Sequence, residues 1–364
     1  MHISELDTPS LLLDLDVLER NLRRMSEYCA KTGIALRPHI KTHKIPELAR
    51  LQKAHGAMGI TAAKVSEARV MAIGGIDDIL LAYPIVSDTK ANSLIELCEH
   101  ARTSISIDSA DAAECLSRAA SATAHHLNVL VEIDVGFGRC GVQTPQAAVE
   151  LAQLIDRLPG ITFDGLMFYP GHMFVPTEAQ NALLQEVNDR VDASVEALRK
   201  SGLTVNTVSG GSSPTAYRSH EFHHLTEIRP GMYPLNDRNL VEGGFAALAD
   251  CALTVLTTVI STAVPGRAIF DGGSKTFSSD RLLTGNNKGC GVVLEDQNAI
   301  FYAMSEEHGH LDITSSSRTY RLGERLRVVP NHVCTTINMH DRIYGIRNDE
   351  VELIWKVAAR GCVQ

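Results

Sequence analysis

The sequence predicts an α/β protein: a (β/α)8 TIM-type barrel with a second, smaller C-terminal β domain. Three observations predict it. Short β-like runs alternate with helix-length amphipathic segments eight times between about residues 16 and 233, the signature of such a barrel. No Gly-x-Gly-x-x-Gly run opens the first helix, as the rival doubly wound sheet often requires. After about Ala252 the long helical patterns stop, and short strands separated by Gly, Pro, Asn and Asp take over.

The elements follow in order. A helix over 16–31 opens the chain: Val17, Leu18, Leu22 and Met25 share one face, and Asp14 or Asp16 can cap its free amides. The eight strand runs are 34–40, 57–62, 78–83, 104–108, 128–134, 162–168, 204–209 and 225–229. Helix patterns over 46–55, 65–73, 89–100, 109–119, 145–158 and 177–200 separate them, with a short irregular stretch at 213–219. Beyond the barrel, strands are expected at 253–262, 266–271, 291–295, 299–306, 325–329 and 352–357.

Composition excludes several classes. The 364 residues are 44% hydrophobic and 21% charged, which is globular rather than disordered. The formal net charge is −9 and no Lys/Arg-rich run appears, so no nucleic-acid partner is expected. No apolar run approaches the roughly 18–20 residues of a membrane span, and residues 1–7 lack the apolar stretch of a signal peptide. Eight scattered cysteines without a Cys-x-x-Cys pair fit a reducing, cytoplasmic setting.

In a barrel the chemistry sits just past the strand ends. There the sequence places Arg37-Pro38-His39-Ile40-Lys41-Thr42-His43-Lys44, Gly136-Phe137-Gly138-Arg139, Tyr169-Pro170-Gly171-His172, Ser209-Gly210-Gly211-Ser212 and Arg229-Pro230-Gly231-Met232. The glycine turns after strands seven and eight can offer bare amides and hydroxyls to a phosphate. Lys41, at the end of an inward-facing strand, is expected to be partly desolvated, with a lowered pKa and an amine available for imine formation. Lys44 reads as an ordinary surface lysine. A phosphate site with a strand-end lysine suggests pyridoxal 5'-phosphate (PLP) held as a Schiff base. In the β domain, His332-Val333-Cys334 would place an imidazole and a thiolate on one side if extended, a good pair of zinc ligands with open positions. His125, His126, His223, His224, His308 and His310 read as surface or turn residues.

Together these motifs, in this order from Asp7-Thr8-Pro9 to Ala359-Arg360-Gly361, resemble the D-threonine aldolase and D-serine dehydratase group of fold-type III, alanine racemase-like PLP enzymes. The resemblance implies a PLP-binding barrel over 10–248 and a metal-binding β domain over 249–364, joined by residues 1–9. It implies PLP on Lys41, and phosphate held at Ser209, Gly210, Gly211, Ser212, Gly231 and Met232. Arg139 matches the family arginine near the cofactor's phenolic oxygen or the substrate carboxylate. His172 matches the histidine near the substrate's β-hydroxyl, Tyr169 packs beside the ring, and Arg229 binds the cofactor or anchors its turn. His332 and Cys334 match the metal ligands. The partner implied is a small D-amino acid, and the assembly a homodimer.

Two outcomes then follow from one site. Removal of the α-proton by Lys41, with metal-assisted loss of the β-hydroxyl, gives a keto acid and ammonia. Removal of the hydroxyl proton by His172 breaks Cα–Cβ and gives glycine and an aldehyde. In the similar aldolases the second ligand is a carboxylate, which suits manganese or magnesium; in the dehydratases it is a thiolate, which suits zinc. Cys334 therefore favours zinc and dehydration of D-serine or a related D-3-hydroxy amino acid, with aldol cleavage as the alternative. A racemase would need a second base, for which Tyr302 and Tyr320 lie in no matching motif. A barrel-only PLP-homeostasis protein would lack the long C-terminal tail, and a PLP-free metal hydrolase would want more His and Asp at the strand ends.

Overall fold

Eight parallel strands curl into a sheet with the order β2-β9-β8-β7-β6-β5-β4-β3 in the computed structural model, which describes residues 1–283 and 289–364. The chain reaches this sheet after a strand β1 (Ser10–Asp14) and a helix α1 (Leu15–Thr32). Asp14, of the two candidates, caps α1 by accepting the Val17 amide at 2.9 Å. The curled sheet comprises β2 (Ala35–Leu36), β3 (Ile60–Ala62), β4 (Asp78–Leu81), β5 (Arg102–Ile107), β6 (Leu127–Glu132), β7 (Ile161–Met167), β8 (Thr207–Gly210) and β9 (Glu227–Ile228). Between successive strands run α2 (Pro46–Ala54), α3 (Val65–Ile73), α4 (Asp88–Leu97), α5 (Ala110–Ser121), α6 (Pro145–Arg157) and α7 (Thr177–Lys200), and the short stretch before β9 is a 3-10 helix, Ala216–Glu221.

The first and last strands meet the expected barrel closure through single bridges, Leu36↔Ala57 and His39↔Thr61. The ladder is brief there because Pro38 has no N–H to give. Instead the Pro38 carbonyl accepts from Thr61 at 2.8 Å and the His39 amide donates to Pro230 at 3.2 Å. The expected first run therefore survives as two ladder residues, one bridge and a 3-10 turn, Ile40–Thr42. Helix termini carry the usual devices: Thr144 accepts from Ala147 with Pro145 in the first turn of α6, and Ser109 caps α5.

The chain comprises two compact units. One comprises Met25–Lys41, Pro46–Gly231 and Cys362–Gln364 and holds the barrel; the other comprises Met1–Arg24, Thr42–Ile45 and Met232–Gly361. In the second unit, α8 (Arg238–Glu242) precedes β10 (Leu253–Ser261), β11 (Arg267–Phe270), α9 (Ser274–Phe277), β12 (Gly291–Val293), β13 (Ile300–Met304), β14 (Gly309–Asp312), β15 (Arg325–Pro330), α10 (Val333–Asn338), β16 (Arg342–Arg347) and β17 (Glu350–Lys356). Their sheet runs β13-β14-β11-β10-β1-β16-β17, with β15 also pairing β10 and β12. β1 sits inside it, antiparallel to β10 and parallel to β16. Leu11, Leu12 and Leu13 are fully buried, each stabilising the sheet by about 1.5–3 kcal/mol. Leu12 packs with Leu6, Leu256 and Ile346.

Among the described residues no helix is long and apolar enough to cross a membrane. Among the described residues, which include all eight cysteines, there is no disulfide.

Candidate active site

The barrel's strand ends are braced by buried charge. Arg37 Nε donates to Glu227 Oε2 at 2.8 Å and its other arm bonds Asp78. Burial alone would lower the Arg37 pKa, but Glu227 and Asp78 outweigh it and raise it. Glu227 Oε1 accepts from Ser209 Oγ at 2.6 Å, and Ser209 Oγ accepts from Arg229 at 2.7 Å. Arg229 also donates to the Phe168 carbonyl at 2.8 Å. Burial pushes its guanidinium down to about 10, which leaves it charged at neutral pH. Thus Arg229 anchors the ends of three strands, and the Ser209 hydroxyl is spent on that network. Gly210 is required beside them, since a Cβ there would fall 2.3 Å from the buried Phe168 ring.

Three of the sequence-derived residues converge electrostatically on His39. Burial first, and then the charges of Lys41, Arg229 and Arg139, hold its imidazole well below the usual histidine range, against a bond to the Thr61 carbonyl. The Lys41 amide donates to His39 Nδ1 at 3.4 Å. His39 is thus a neutral ring between cations, a role its place in the motif did not announce. Lys41 itself is exposed, on the Ile40–Thr42 turn rather than on the strand, so the expected partial desolvation is corrected. Lys44, read as a surface lysine, is in fact 6% exposed. Its backbone is left-handed (φ 58) and its carbonyl is pinned by the Ala359 amide at 3.1 Å.

The loop after β6 carries Arg139. Its guanidinium stands 4.6 Å from the Tyr169 ring centroid and 5.4 Å from that of Phe137, and those two rings meet edge to face at 5.4 Å. His172, on the 3-10 turn Gly171–Met173, has both ring nitrogens buried without a hydrogen-bond partner. Burial lowers its pKa, outweighing the opposing charges of Glu186 and Asp134. A buried polar atom without a partner is costly and calls for an explanation. A side chain at Gly136 would lie 3.6 Å from that ring, space that glycine leaves open.

At the glycine turns after β8 and β9, Gly211 is left-handed (φ +83). The Ser212 amide and hydroxyl both meet Thr215 Oγ1 at 3.1 Å, and the Gly231 amide donates to Ser213 Oγ at 3.2 Å.

The other unit holds the second motif. His332-Val333-Cys334 is not extended: His332 is the residue before α10 (φ −140) and Cys334 lies in its first turn. His332 Nδ1 sits 3.0 Å from Asp237 Oδ2, which also accepts the Val333 amide at 3.1 Å. A carboxylate can only accept, so Nδ1 carries the proton and Nε2 remains for a metal. Burial opposes charge on His332, but Cys334 and Asp237 raise its pKa to about 11, so the metal-free ring also holds a proton on Nε2 that a metal would displace. Cys334 Sγ donates to Thr42 Oγ1 at 3.3 Å. Asp237, fully buried and capping α8 through the Leu240 amide, was missed in the sequence because nothing local marks it. In the same unit, Met232 gives its carbonyl to Leu235 and Asn236. Tyr320 is held by Asp296 at 2.9 Å, and Tyr302 is exposed.

The donor chemistry fits both groups the sequence suggested. An exposed lysine amine, glycine turns and an unpartnered imidazole suit PLP. An imidazole fixed by a carboxylate beside a thiol suits a soft divalent metal with open positions. Among the described residues, no third His, Cys, Asp or Glu completes a closed metal cage.

Comparison with known proteins follows the same division. The family described as "Alanine racemase, N-terminal domain" matches residues 13–235, and "Putative serine dehydratase domain" matches residues 252–346. A D-threonine aldolase from Arthrobacter sp is 36% identical, over 99% of this chain and 94% of its own. A 3-hydroxy-D-aspartate aldolase from Paracoccus denitrificans is 35% identical over the same shares. A D-threo-3-hydroxyaspartate dehydratase from Delftia sp. is 32% identical, over 91% of this chain and 92% of its own. Among solved structures, the D-threonine aldolase from Filomicrobium marinum superposes with a TM-score of 0.93 at 34% identity, over 99% of this chain and 98% of that one. The Delftia dehydratase gives 0.91 at 30%, over 98% of each, and a cysteine-to-alanine variant of it is known in a metal-free form. Alanine racemase from Clostridium difficile, at 14% identity and a TM-score of 0.74, shares the fold.

Proposed function

The chain belongs to the alanine racemase-like, fold-type III family of PLP enzymes, in its aldolase and dehydratase branch, and from that premise we propose that it cleaves D-3-hydroxy amino acids to glycine and an aldehyde. The observation that carries this reading is His172, a neutral imidazole whose two ring nitrogens are buried and uncommitted. Aldol cleavage needs a base for the β-hydroxyl proton, and a neutral imidazole is such a base. The aldolases at 36% and 35% identity support the same choice.

Lys41 would hold PLP through its amine, and Gly210, Gly211, Ser212, Gly231 and Met232 would hold its phosphate through backbone groups. When bound, the cofactor supplies an electron sink for the Cα–Cβ bonding pair. Arg139 orients the anionic end of the substrate, its planar cation held against Tyr169. His172 takes the proton from the β-hydroxyl oxygen as that C–O bond becomes a carbonyl, and Cα is then reprotonated to give glycine. His332 and Cys334 would hold a divalent metal, zinc by the softness of the thiolate, whose chemistry is Lewis-acid activation of an oxygen. Arg229 and Ser209 serve as the brace under the phosphate turns rather than as direct ligands.

A second reading, dehydration to a keto acid and ammonia, is favoured by one residue: Cys334, the thiolate member of the metal pair. The Delftia dehydratase at 32% identity, whose cysteine-to-alanine variant is known in a metal-free form, supports this second reading. One assay separates the two. D-threonine, D-3-hydroxyaspartate and D-serine are supplied in parallel, and aldehyde plus glycine is measured apart from keto acid plus ammonia. Aldehyde is expected from the first two; keto acid alone from all three would overturn cleavage in favour of dehydration.

A further inference from the structure

We propose that Asp134 is a positioning residue of this site, setting Arg139 and His172 together through the loop between β6 and α6. The inference rests on the lyase reading above, in which those two residues serve the reaction.

The loop is closed at its neck by backbone. Ile133 bridges Val142, the Asp134 amide donates to the Val142 carbonyl at 3.1 Å, and the Val142 amide donates to Glu132 at 2.9 Å. Gly141 lies so near that a Cβ on it would fall 2.5 Å from the Asp134 nitrogen. From β5's end, Asp108 accepts the Gly141 amide at 2.9 Å. None of these contacts shapes the tip. The tip is shaped by one oxygen: Asp134 Oδ1 accepts the amides of Gly136, Phe137 and Gly138, each at 3.0 Å. Gly136 and Gly138 are both left-handed (φ 111 and 71), the conformation that turns successive amides inward. Phe137, at the tip, is 40% exposed.

What this tip touches gives it a role. Phe137 packs edge to face on Tyr169, Arg139 stands over the same ring, and Gly136 backs the His172 ring. Arg190, from α7, donates to the Asp134 carbonyl at 3.4 Å. One carboxylate oxygen thus fixes the segment that carries the cation and walls the base. If it is lost, both shift together.

The substitutions discriminate cleanly. Asparagine keeps an acceptor oxygen for the three amides and alanine does not. In the full-length holoenzyme, Asp134→Ala is expected to lower kcat/KM with D-threonine about 100-fold, the scale of an ångström-sized misplacement, whereas Asp134→Asn stays within about fivefold. In an Arg139→Ala/His172→Ala background, adding Asp134→Ala is expected to change the residual rate less than about threefold, the non-additivity of residues acting through one another. Hydrogen exchange of the amides at 136–138 is expected to accelerate in Asp134→Ala and not in Asp134→Asn, with the visible circular dichroism of bound PLP altered in the first alone. Additive effects, or exchange and dichroism unchanged in the alanine variant, would overturn the positioning role. A wild-type enzyme inactive on every D-3-hydroxy amino acid would overturn the lyase reading instead, and exchange and dichroism would still decide the role of Asp134.

Discussion

His332 Nδ1 and Asp237 Oδ2 lie 3.0 Å apart, in a pairing that spans 95 positions of sequence. The carboxylate fixes the ring's tautomer and rotation and leaves Nε2 for a metal. Replacing Asp237 with Asn is expected to weaken metal binding by about 10- to 100-fold, the usual cost of such a partner. Zinc titration of the metal-free protein reads this directly. Unchanged affinity would remove His332 from the metal site, or Asp237 from its support.

In the proposed metal site, Cys334 would set the metal preference. Cys334→Ala is expected to abolish tight zinc binding, and Cys334→Asp to move the preference toward manganese or magnesium, since a hard oxygen replaces a soft sulfur. Activity restored by each metal after chelation checks this. Chelation should stop turnover while the visible absorption band of the cofactor persists. Retained zinc preference in Cys334→Asp would count against the thiolate as a ligand.

His172 sets a pH limit. Burial holds its folded pKa below the ordinary value of about 6.5. As a base it must be neutral, so the acid limb of kcat/KM is expected below pH 6.5 and should vanish, with most of the rate, in His172→Gln. Stability carries the same sign. Above pH 6.5 the ring is neutral folded and unfolded, whereas on acidification the unfolded chain takes the proton first and folding is weakened until the pH has passed the folded value. An acid limb that persists unmoved in His172→Gln would assign it to another group.

Glu227 ties Arg37, Ser209 and, through Ser209, Arg229 into one buried group. Glu227→Ala leaves a buried guanidinium without its principal partner, a loss of about 3–5 kcal/mol. Urea unfolding followed at two wavelengths measures it, and a loss below about 1 kcal/mol would mean that water reaches the cluster.

The barrel was legible because its signal is repetitive: eight alternations outweigh uncertainty at any one edge. The glycine turns and the Lys41 motif were legible because strand ends are where a barrel presents its chemistry. Long-range partners were not. β1 was missed because its three leucines are buried on both faces and show no alternation, and β16 because Gly345 and terminal arginines interrupt its pattern. The sequence left the backbone at His332-Val333-Cys334 open, and Val333, Thr335 and Thr336 do favour strands, but Asp237, far back in sequence, receives the Val333 amide and starts a helix there. Lys44 looked like a surface lysine because its fixing partner, Ala359, lies near the other end of the chain.

The interior position of β1 also dictates the order of events on the ribosome. Leu11-Leu12-Leu13 are translated well before their strand partners at 253–255 and 343–345. Those side chains must wait without their strand partners while the intervening barrel is made, the situation in which nascent chains associate with one another. A ribosome-stalled chain that stops before β10 should therefore bind holding chaperones through Leu11-Leu12-Leu13, and release them only once β10 and β16 have been made.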